Sequence, residues 1–233
     1  GLPLVPVHHL RAHIAANYIA HKALEPPFLC LVVSGGHSHI VHVKGYTSFE
    51  VIGRTRDDAA GEVMDKAARA LGLPYPGGLN LDIASADGNP DAYKLPRPRV
   101  DGREFDFSFS GLKTAAINII HNAAQKGESV SVADFGASFI RAVVDCLAEN
   151  TIAAAAYSGC KTVVLAGGVA ANSRLRARFV SVCEQQGLRL YLPEIHLCGD
   201  NAAMVGAQAY YEYLAGNTAD MSLNARASAP IEG

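Results

Sequence analysis

Two short apolar runs, each followed closely by a pair of glycines, restrict the fold of this chain more than any other feature. The first run, FLCLVV, precedes Gly35-Gly36, and the second run, TVVLA, precedes Gly167-Gly168. Continuous apolar runs of this length predict strands that are buried on both faces of a sheet. Because glycine lets backbone N–H groups approach an anion closely, each pair is either an ordinary turn or part of an anion-binding site.

The rest of the pattern alternates between strands and helices, which predicts an α/β fold. Three strands over residues 28–55 are joined by short glycine turns and form a predicted meander. Residues 74–104 are rich in Pro, Gly, Asp and Asn, and we expect a long loop there with at most one helical turn. The predicted strands are 28–33, 39–43, 48–55, 105–111, 162–166 and 188–192, and the predicted helices are 12–24, 59–71, 112–125, 132–157, 171–186 and 200–215. The arginines of the helix at 171–186, Arg174, Arg176 and Arg178, are predicted to be exposed to solvent.

Composition and charge argue against several classes of protein. The chain has 233 residues, 49% of them hydrophobic, and a net charge of −2, so its bulk charge favours neither nucleic acid nor an anionic membrane. Its five cysteines are far apart and form no C-x-x-C pair, which favours a reducing, cytoplasmic setting over a disulfide framework or a thiolate zinc site. The most apolar long stretch, residues 138–157, contains Arg141, Asp145 and Glu149, so no membrane span is predicted.

A histidine pair near the start of the sequence is the first candidate for chemistry. His9 and His13 stand four residues apart, so a helix would place both imidazoles on one face, whereas His8 would point elsewhere. The same spacing occurs in the H-E-x-x-H motif of zinc proteases, but Leu10 replaces the glutamate that acts there as general base. The pair therefore predicts a metal site without a built-in base. A surface helix that carries two histidines by chance is the alternative.

A carboxylate late in the chain has two interpretations. Asp200 stands at the start of the last predicted helix, where its default role is to cap the helix N-terminus. The alternative is that Asp200 supplies a third ligand beside His9 and His13. Two histidines and one aspartate that leave positions open suit iron(II) or zinc at a catalytic centre.

More carboxylates surround the start of the second predicted helix. Asp58 is a predicted N-cap, and Glu62 and Lys66 form a predicted i,i+4 ion pair. Asp65 fits neither role, so we expect it to take part in polar recognition of a ligand.

Six groups of motifs that occur in one order along the chain resemble a known family. They are V-P-V-H-H-x-x-x-H, L-V-V-S-G-G-H, R-D-D-A-A-G-E-x-x-D-K with Y-P-G-G, F-D-F-S-F-S-G-L-K-T, L-A-G-G-V-A-A-N and C-G-D-N-A-A-M. Together they resemble the TsaD family of tRNA N6-adenosine threonylcarbamoyltransferases, once labelled glycoprotein endopeptidases. The resemblance implies an α/β fold of the actin-like, Hsp70 and sugar-kinase (ASKHA) ATPase type, in which a ligand lies between two lobes.

The resemblance also implies that one lobe is incomplete in this sequence. Family members carry a further segment before the H-x-x-x-H motif, and that segment does not precede it here. Residues 1–27 are therefore assigned to the end of the first lobe and the metal-binding helix, and residues 28–233 to the second lobe. The second lobe would comprise the meander, the long loop and a C-terminal α/β layer over 105–216. Leu79 stands where the family usually has proline, so we expect a slightly different path toward Asp82.

The family's ligand contacts carry over to this chain position by position, as implications of the resemblance. The H-x-x-x-H pair and the aspartate of the D-N dipeptide imply one divalent metal, iron(II) or zinc, at His9, His13 and Asp200. The implied contacts with threonylcarbamoyl-adenylate are Val32, Val33, Ser34, Gly35, Gly36, Asp65, Gly78, Asp82 and Asn172.

The implied activity is transfer of the threonylcarbamoyl group from the adenylate to N6 of adenosine 37 in tRNAs. A paralogous fold partner (TsaB) and a small ATPase (TsaE) are the implied protein partners, and no membrane partner is expected. Three alternatives stay open at this point. They are a non-catalytic nucleotide-binding scaffold subunit of the same complex, an ATP-dependent kinase of the same fold, and a metalloprotease, which Leu10 disfavours.

Overall fold

The run FLCLVV forms the central strand of a five-stranded sheet. The computed structural model describes residues 2–232. Its strands are β1 (Phe28–Val33), β2 (Ser38–Gly45), β3 (Ser48–Arg54), β4 (Thr162–Ala166) and β5 (Arg189–Tyr191). They lie in the order β3-β2-β1-β4-β5. The first three form the antiparallel meander that the sequence predicts, while β4 pairs in parallel with both β1 and β5.

Helices cover both faces of this sheet. They are α1 (His9–Ala20), α2 (Ala60–Ala70), α3 (Gly77–Ala84), α4 (Ser110–Gln125), α5 (Val132–Ser158), a 3₁₀ helix (Gly168–Ala171), α6 (Ser173–Gln185), α7 (Ile195–Cys198) and α8 (Ala202–Leu214). Within residues 2–232, none of these helices combines the length and the apolar character that a membrane span needs.

Alternate residues of β1 belong to two hydrophobic clusters. Leu31 lies in the larger cluster, with side chains from α2, α4, α5 and α6. Its neighbours Cys30 and Val32 lie in a second cluster, with Leu10 and Ile14 of α1. The strand is therefore buried on both faces, and the second cluster fixes α1 against the sheet.

The segment between β3 and α4 differs from its prediction in two places. The predicted loop 74–104 contains a helix of eight residues, α3. The predicted strand over 105–111 is wrong, because only Phe107 pairs, through a single bridge to Thr55. The alternation of aromatic residues instead reflects two side chains packed into the core, Phe107 and Phe109, both fully buried.

Asp57 explains why the chain turns into α4 at this point. Its Oδ1 accepts from the backbone N–H of Phe109 at 2.8 Å, and its Oδ2 accepts from Ser110 Oγ at 2.7 Å. These bonds satisfy donors at the start of α4 from a neighbouring loop. Burial alone would raise the pKa of Asp57, but the bonds from Ser108, Ser110 and Phe109 prevail and lower it.

Two predictions about charged side chains are wrong. Asp58 does not cap α2, because Ala59 holds the N-cap position and makes no side-chain capping bond. The Asp58 carboxylate instead accepts from Lys66 Nζ at 2.8 Å and from Lys113 Nζ at 2.5 Å. The arginines of α6, which the sequence places in solvent, are half-buried; Arg176, for example, donates to two backbone carbonyls.

Glycine is required where β1 and β4 end side by side. Gly167 has φ +90° and ψ 167°, a region that only glycine commonly adopts. A Cβ at this position would lie 2.3 Å from the carbonyl oxygen of Val33. At the next residue, Gly168, an added Cβ would meet no atom within 4 Å. The two neighbouring glycines therefore have different structural roles. Gly167 permits the close contact between β4 and β1, and Gly168 leaves the space beside it open.

We expect Gly167→Ala to lower the free energy of unfolding by about 1–3 kcal/mol from backbone strain, and further through the clash with Val33. The matched control, Gly168→Ala, should change it by no more than about 0.5 kcal/mol. Chemical denaturation of both variants measures the difference. Equal stabilities would contradict the role given to Gly167.

Candidate metal centre

Helix α1 places two histidines at one point of the surface. His8 caps the helix, with its Nδ1 accepting from the backbone N–H of Leu10 at 3.2 Å, so His9 and His13 both fall inside the helical span. Their ring centroids are 4.6 Å apart. The His9 side chain is 50% exposed and the His13 side chain 1% exposed, so the pair runs from the surface into the interior.

Asp200 approaches this pair from the start of α8. The N-cap of α8 is Asn201, whose side chain accepts from the backbone N–H of Met204 at 2.8 Å, so the capping interpretation of Asp200 is wrong. The Asp200 Oδ1 lies 3.1 Å from His13 Nε2 and 3.7 Å from His9 Nε2. One ligand atom from each of the three residues lies within 4.8 Å of the other two.

The state of His13 fits a metal ligand. Its Nε2 is near Asp200 but not in hydrogen-bond geometry, and neither ring nitrogen has a hydrogen-bond partner among residues 2–232. Burial lowers the pKa of His13 and the nearby His9 lowers it further, while Asp200 opposes both. The buried ring is thus favoured in the neutral form that binds metals. Ligands at about 2.0–2.2 Å from one ion lie roughly 3.3 Å apart. The separations of Asp200 Oδ1 from the two imidazole nitrogens, 3.1 and 3.7 Å, are close to that value.

His8 is committed elsewhere, as the helical spacing predicts. Besides the capping bond from its Nδ1, its Nε2 lies 3.0 Å from the carbonyl oxygen of Ala229. Both ring nitrogens therefore have backbone partners, and His8 is not available as a fourth ligand.

The glycine turn after β1 presents open backbone. The turn is closed by a bond from the Ser34 N–H to the His37 carbonyl at 2.8 Å. A Cβ added to Gly35 or Gly36 would meet no atom within 4 Å. Gly61 of α2 packs against the other side of the turn, since a Cβ there would lie 2.6 Å from the Ser34 carbonyl oxygen. The turn is therefore packed against α2 at Ser34, while the space beside Gly35 and Gly36 is open.

Sequence comparison identifies the family of this chain. The family model described as "TsaD: tRNA N6-adenosine threonylcarbamoyltransferase" matches residues 1–207, a range that includes the histidine pair, both glycine turns and Asp200. This chain belongs to the TsaD family. Relatives of that name from Clostridium botulinum (strain Kyoto / Type A2) and Clostridium perfringens (strain ATCC 13124) are 49% and 50% identical to it, over 97% and 96% of this chain. The chain spans 66% of the length of either relative.

Solved structures of HypF share the fold of this TsaD chain. Full-length HypF in the phosphate- and nucleotide-bound form superposes with a TM-score of 0.69 at 16% identity, covering 91% of this chain and 36% of that one. T. kodakarensis HypF gives 0.70 at 19% identity, covering 93% and 38%. At such identities the likeness concerns the fold alone, and together with the mixed five-stranded sheet it confirms the predicted α/β fold.

Two carboxylates among the ligand contacts implied by the TsaD family, Asp65 and Asp82, accept hydrogen bonds from other parts of the chain. Asp65 Oδ1 accepts from the backbone N–H of Gly78 at 2.9 Å, which joins α2 to the start of α3. Asp82 accepts from both the N–H and the Oγ of Ser173, at 2.8 and 2.9 Å, and so caps α6 from α3. Each carboxylate therefore joins two helices within the chain.

Asn172 and the end of β1 offer different groups to a ligand. The Asn172 Oδ1 accepts from the Leu175 N–H at 2.9 Å, while its Nδ2 is buried without a hydrogen-bond partner in the described part of the chain. That amide is a donor available for a bound group. Val32 and Val33 are buried, so only their backbone atoms can serve.

Two histidines beside the site are not identified by the sequence arguments. His37 follows the glycine turn, His39 lies two residues further on β2, and their ring centroids are 5.6 Å apart. Burial lowers the pKa of His37, and the nearby His9 and His8 lower it further. The i,i+2 spacing across the start of a predicted strand, which in extended backbone directs both side chains to one face, is the signal that could have identified them.

We expect the free energy of unfolding to decrease as the pH is lowered from 6.5 to about 4, because of His39. Burial, aided by His37 and Arg54, lowers the pKa of His39 from 6.5 to about 4. In this window the unfolded chain takes up a proton and the folded chain does not, so acid favours unfolding. Urea denaturation across the window should show a smaller pH slope for His39→Gln than for the unchanged chain. The same slope in both would contradict the assignment.

Proposed function

We propose that this chain carries the metal and adenylate sites of an enzyme that transfers the threonylcarbamoyl group of threonylcarbamoyl-adenylate to N6 of adenosine 37 in tRNA. The observation that carries this proposal is the convergence of His9, His13 and Asp200 in one group. The names of the relatives support the substrates, since both are called tRNA N6-adenosine threonylcarbamoyltransferase.

His9, His13 and Asp200 would hold one divalent metal, with iron(II) as first choice and zinc as the other. The orphaned nitrogen of the buried His13 and the mixed imidazole and carboxylate donor set support this assignment. When bound, such a metal supplies a Lewis acid that stabilises negative charge on a carbonyl or phosphate oxygen. Because His9 and Asp200 are exposed, a metal bound between them would be accessible from solvent.

The chain's own groups would bind and orient the adenylate. The backbone at Gly35 and Gly36 and the open surface of Gly168 suit an anionic phosphate. The free amide donor of Asn172 suits a polar group of the ligand. HypF, which shares the fold, has been solved in a phosphate- and nucleotide-bound form, and this agrees with a nucleotide ligand.

The proposed reaction requires no nucleophile from the protein. The N6 amine of adenosine attacks the carbonyl carbon of the threonylcarbamoyl group, a new C–N bond forms, and the bond to the phosphate oxygen breaks. AMP leaves with that electron pair, and the amine loses a proton to solvent. Since AMP is a good leaving group, correct placement of the two substrates is the protein's main contribution.

The whole enzyme would work with TsaB and TsaE as partners in the cytoplasm. The five cysteines support a reducing compartment, because all are free and buried. Burial raises the pKa of Cys183 to about 11 and that of Cys146 to about 12, so neither thiol is poised to react.

A direct assay tests the proposed activity. Purified chain is mixed with threonylcarbamoyl-adenylate and unmodified tRNA, alone and with the part of the Clostridium perfringens relative that the match leaves uncovered. Mass spectrometry of the digested tRNA should show the threonylcarbamoyl group on adenosine 37. ATP hydrolysis without tRNA modification would favour the kinase alternative, and adenylate binding without either would favour the scaffold.

We expect His9→Ala, His13→Ala and Asp200→Ala each to lose bound metal, whereas the control His8→Ala keeps it. The reason is that His8 has both ring nitrogens on backbone partners. Metal content after purification under anaerobic conditions, measured by mass spectrometry, gives the result. The ligand assignment is wrong if His8→Ala strips the metal while His13→Ala retains it.

We expect Gly35→Val to abolish adenylate binding at unchanged metal content. A Cβ added at this position meets no protein atom within 4 Å, so the fold should tolerate the change while the space for the phosphate is filled. Calorimetric titration with a non-hydrolysable adenylate analogue measures the loss. Lys126→Val, an exposed change after α4, is the control. Full binding by Gly35→Val would mean that the turn is only structural.

A further inference from the structure

Arg11 stands between the two proposed metal ligands in sequence but on the opposite side of α1. Two residues correspond to about 200° around a helix, so its side chain leaves the helix away from His9 and His13. Its Nε and Nη2 donate to the carbonyl oxygen of Ile231 at 2.9 and 2.7 Å. Its Nη1 donates to Glu212 Oε1 at 3.0 Å. The side chain is only 11% exposed.

Glu212 belongs to α8, the helix that follows Asp200. It is 3% exposed, and it accepts from Gln208 Nε2 at 2.8 Å and from Asn217 Nδ2 at 2.6 Å in addition to Arg11. Its carboxylate is therefore fully bonded and fixed in place. The Arg11–Glu212 pair joins the two helices that supply the candidate metal ligands.

The segment of residues 229–231, here called the strap, lies across the start of α1. Ile231 is buried at 3% exposure in the same cluster as Leu10 and Ile14. The strap has two polar contacts with α1, from Arg11 to the Ile231 carbonyl and from His8 to the Ala229 carbonyl. The family match ends at residue 207, so both Glu212 and the strap lie outside it.

We propose that Arg11 is a positioning residue for the metal centre, holding α1 against α8 and the strap so that His9 and His13 face Asp200. This inference rests on the proposed metal centre. Because Arg11 bonds to one carbonyl through two N–H groups and to one carboxylate through a third, its planar guanidinium fixes both distance and direction. A lysine could keep the charge, but its single ammonium cannot reproduce this arrangement.

Metal titration of the full chain tests the proposal. The variants are Arg11→Lys, which keeps the charge, and Ile231→Ala, which keeps the carbonyl but weakens the strap's apolar contact. Cobalt(II) is the probe, because its absorption bands report ligand geometry as well as occupancy. Mutation of residues that orient metal ligands typically lowers metal affinity by about 10–100-fold. We therefore expect both variants to bind cobalt(II) at least about ten times more weakly than the unchanged chain, and their absorption bands to differ from its bands.

Leu223→Asp is the matched control for the strap. It lies shortly before the strap and is 46% exposed, so it should bind cobalt(II) like the unchanged chain. Circular dichroism at the titration temperature shows which variants are folded. A purely structural role for Arg11 would lower the melting temperature without moving the cobalt(II) dissociation constant.

The outcomes separate this inference from the one beneath it. An unchanged chain that binds no metal overturns the proposed centre, and the positioning role with it. If the unchanged chain binds cobalt(II), and folded Arg11→Lys and Ile231→Ala bind it equally well with the same bands, only the positioning role is overturned. If Arg11→Lys fails to fold, Glu212→Gln takes its place, since it removes the carboxylate that Arg11 bonds and keeps the size of the side chain. Equal cobalt(II) binding by folded Glu212→Gln would then overturn the positioning role.

Discussion

The parallel contact between β1 and β4 determines where the candidate site can be. It brings the carboxyl ends of two buried strands to one edge of the sheet, and each strand is followed there by a turn that contains a glycine pair. The contact depends on Gly167, since any side chain there would collide with the Val33 carbonyl. Parallel strands expose backbone donors and helix starts at that edge, which is why ligands commonly bind there in open α/β sheets. Gly167 thus permits the contact between the two strands, and the other three glycines leave space that the proposed ligand would occupy.

Helix α1 connects this sheet to the metal centre. One side of α1 carries Leu10 and Ile14 into the cluster beneath β1, and that burial fixes the helix against the sheet. Another side carries His9 and His13, so the same packing that stabilises the helix also fixes the imidazoles. Asp200 has no comparable support from the sheet, because it stands before α8 and is 76% exposed. Contacts between α1 and α8, the Arg11–Glu212 pair among them, must therefore control how closely the carboxylate approaches.

Local patterns could be predicted from the sequence, whereas choices made by distant contacts could not. The H-x-x-x-H face and the buried strands follow from periodicity over a few residues, and the structure agrees with both. Asp200 and Asn201 are equally good helix caps, so the sequence offers no means to choose between them. The structure assigns the cap to Asn201. The strand predicted at 105–111 fails for a similar reason. Asp57, some fifty residues earlier, accepts bonds that direct the end of that segment into the start of α4.

In the candidate centre the buried ligand is an imidazole and the carboxylate is exposed, so the three side chains can come together before any metal binds. Burying an unpaired charge is very costly, so a buried ligand should be neutral. His13 is the buried member, and its burial itself favours the neutral ring. Asp200, the one formal charge, stays in contact with water. Two further charged side chains, Arg11 and Glu212, lie on the far side of α1, where they are paired and hydrogen-bonded. The chain can therefore hold two imidazoles and a carboxylate near binding geometry without leaving a charge buried and unpaired.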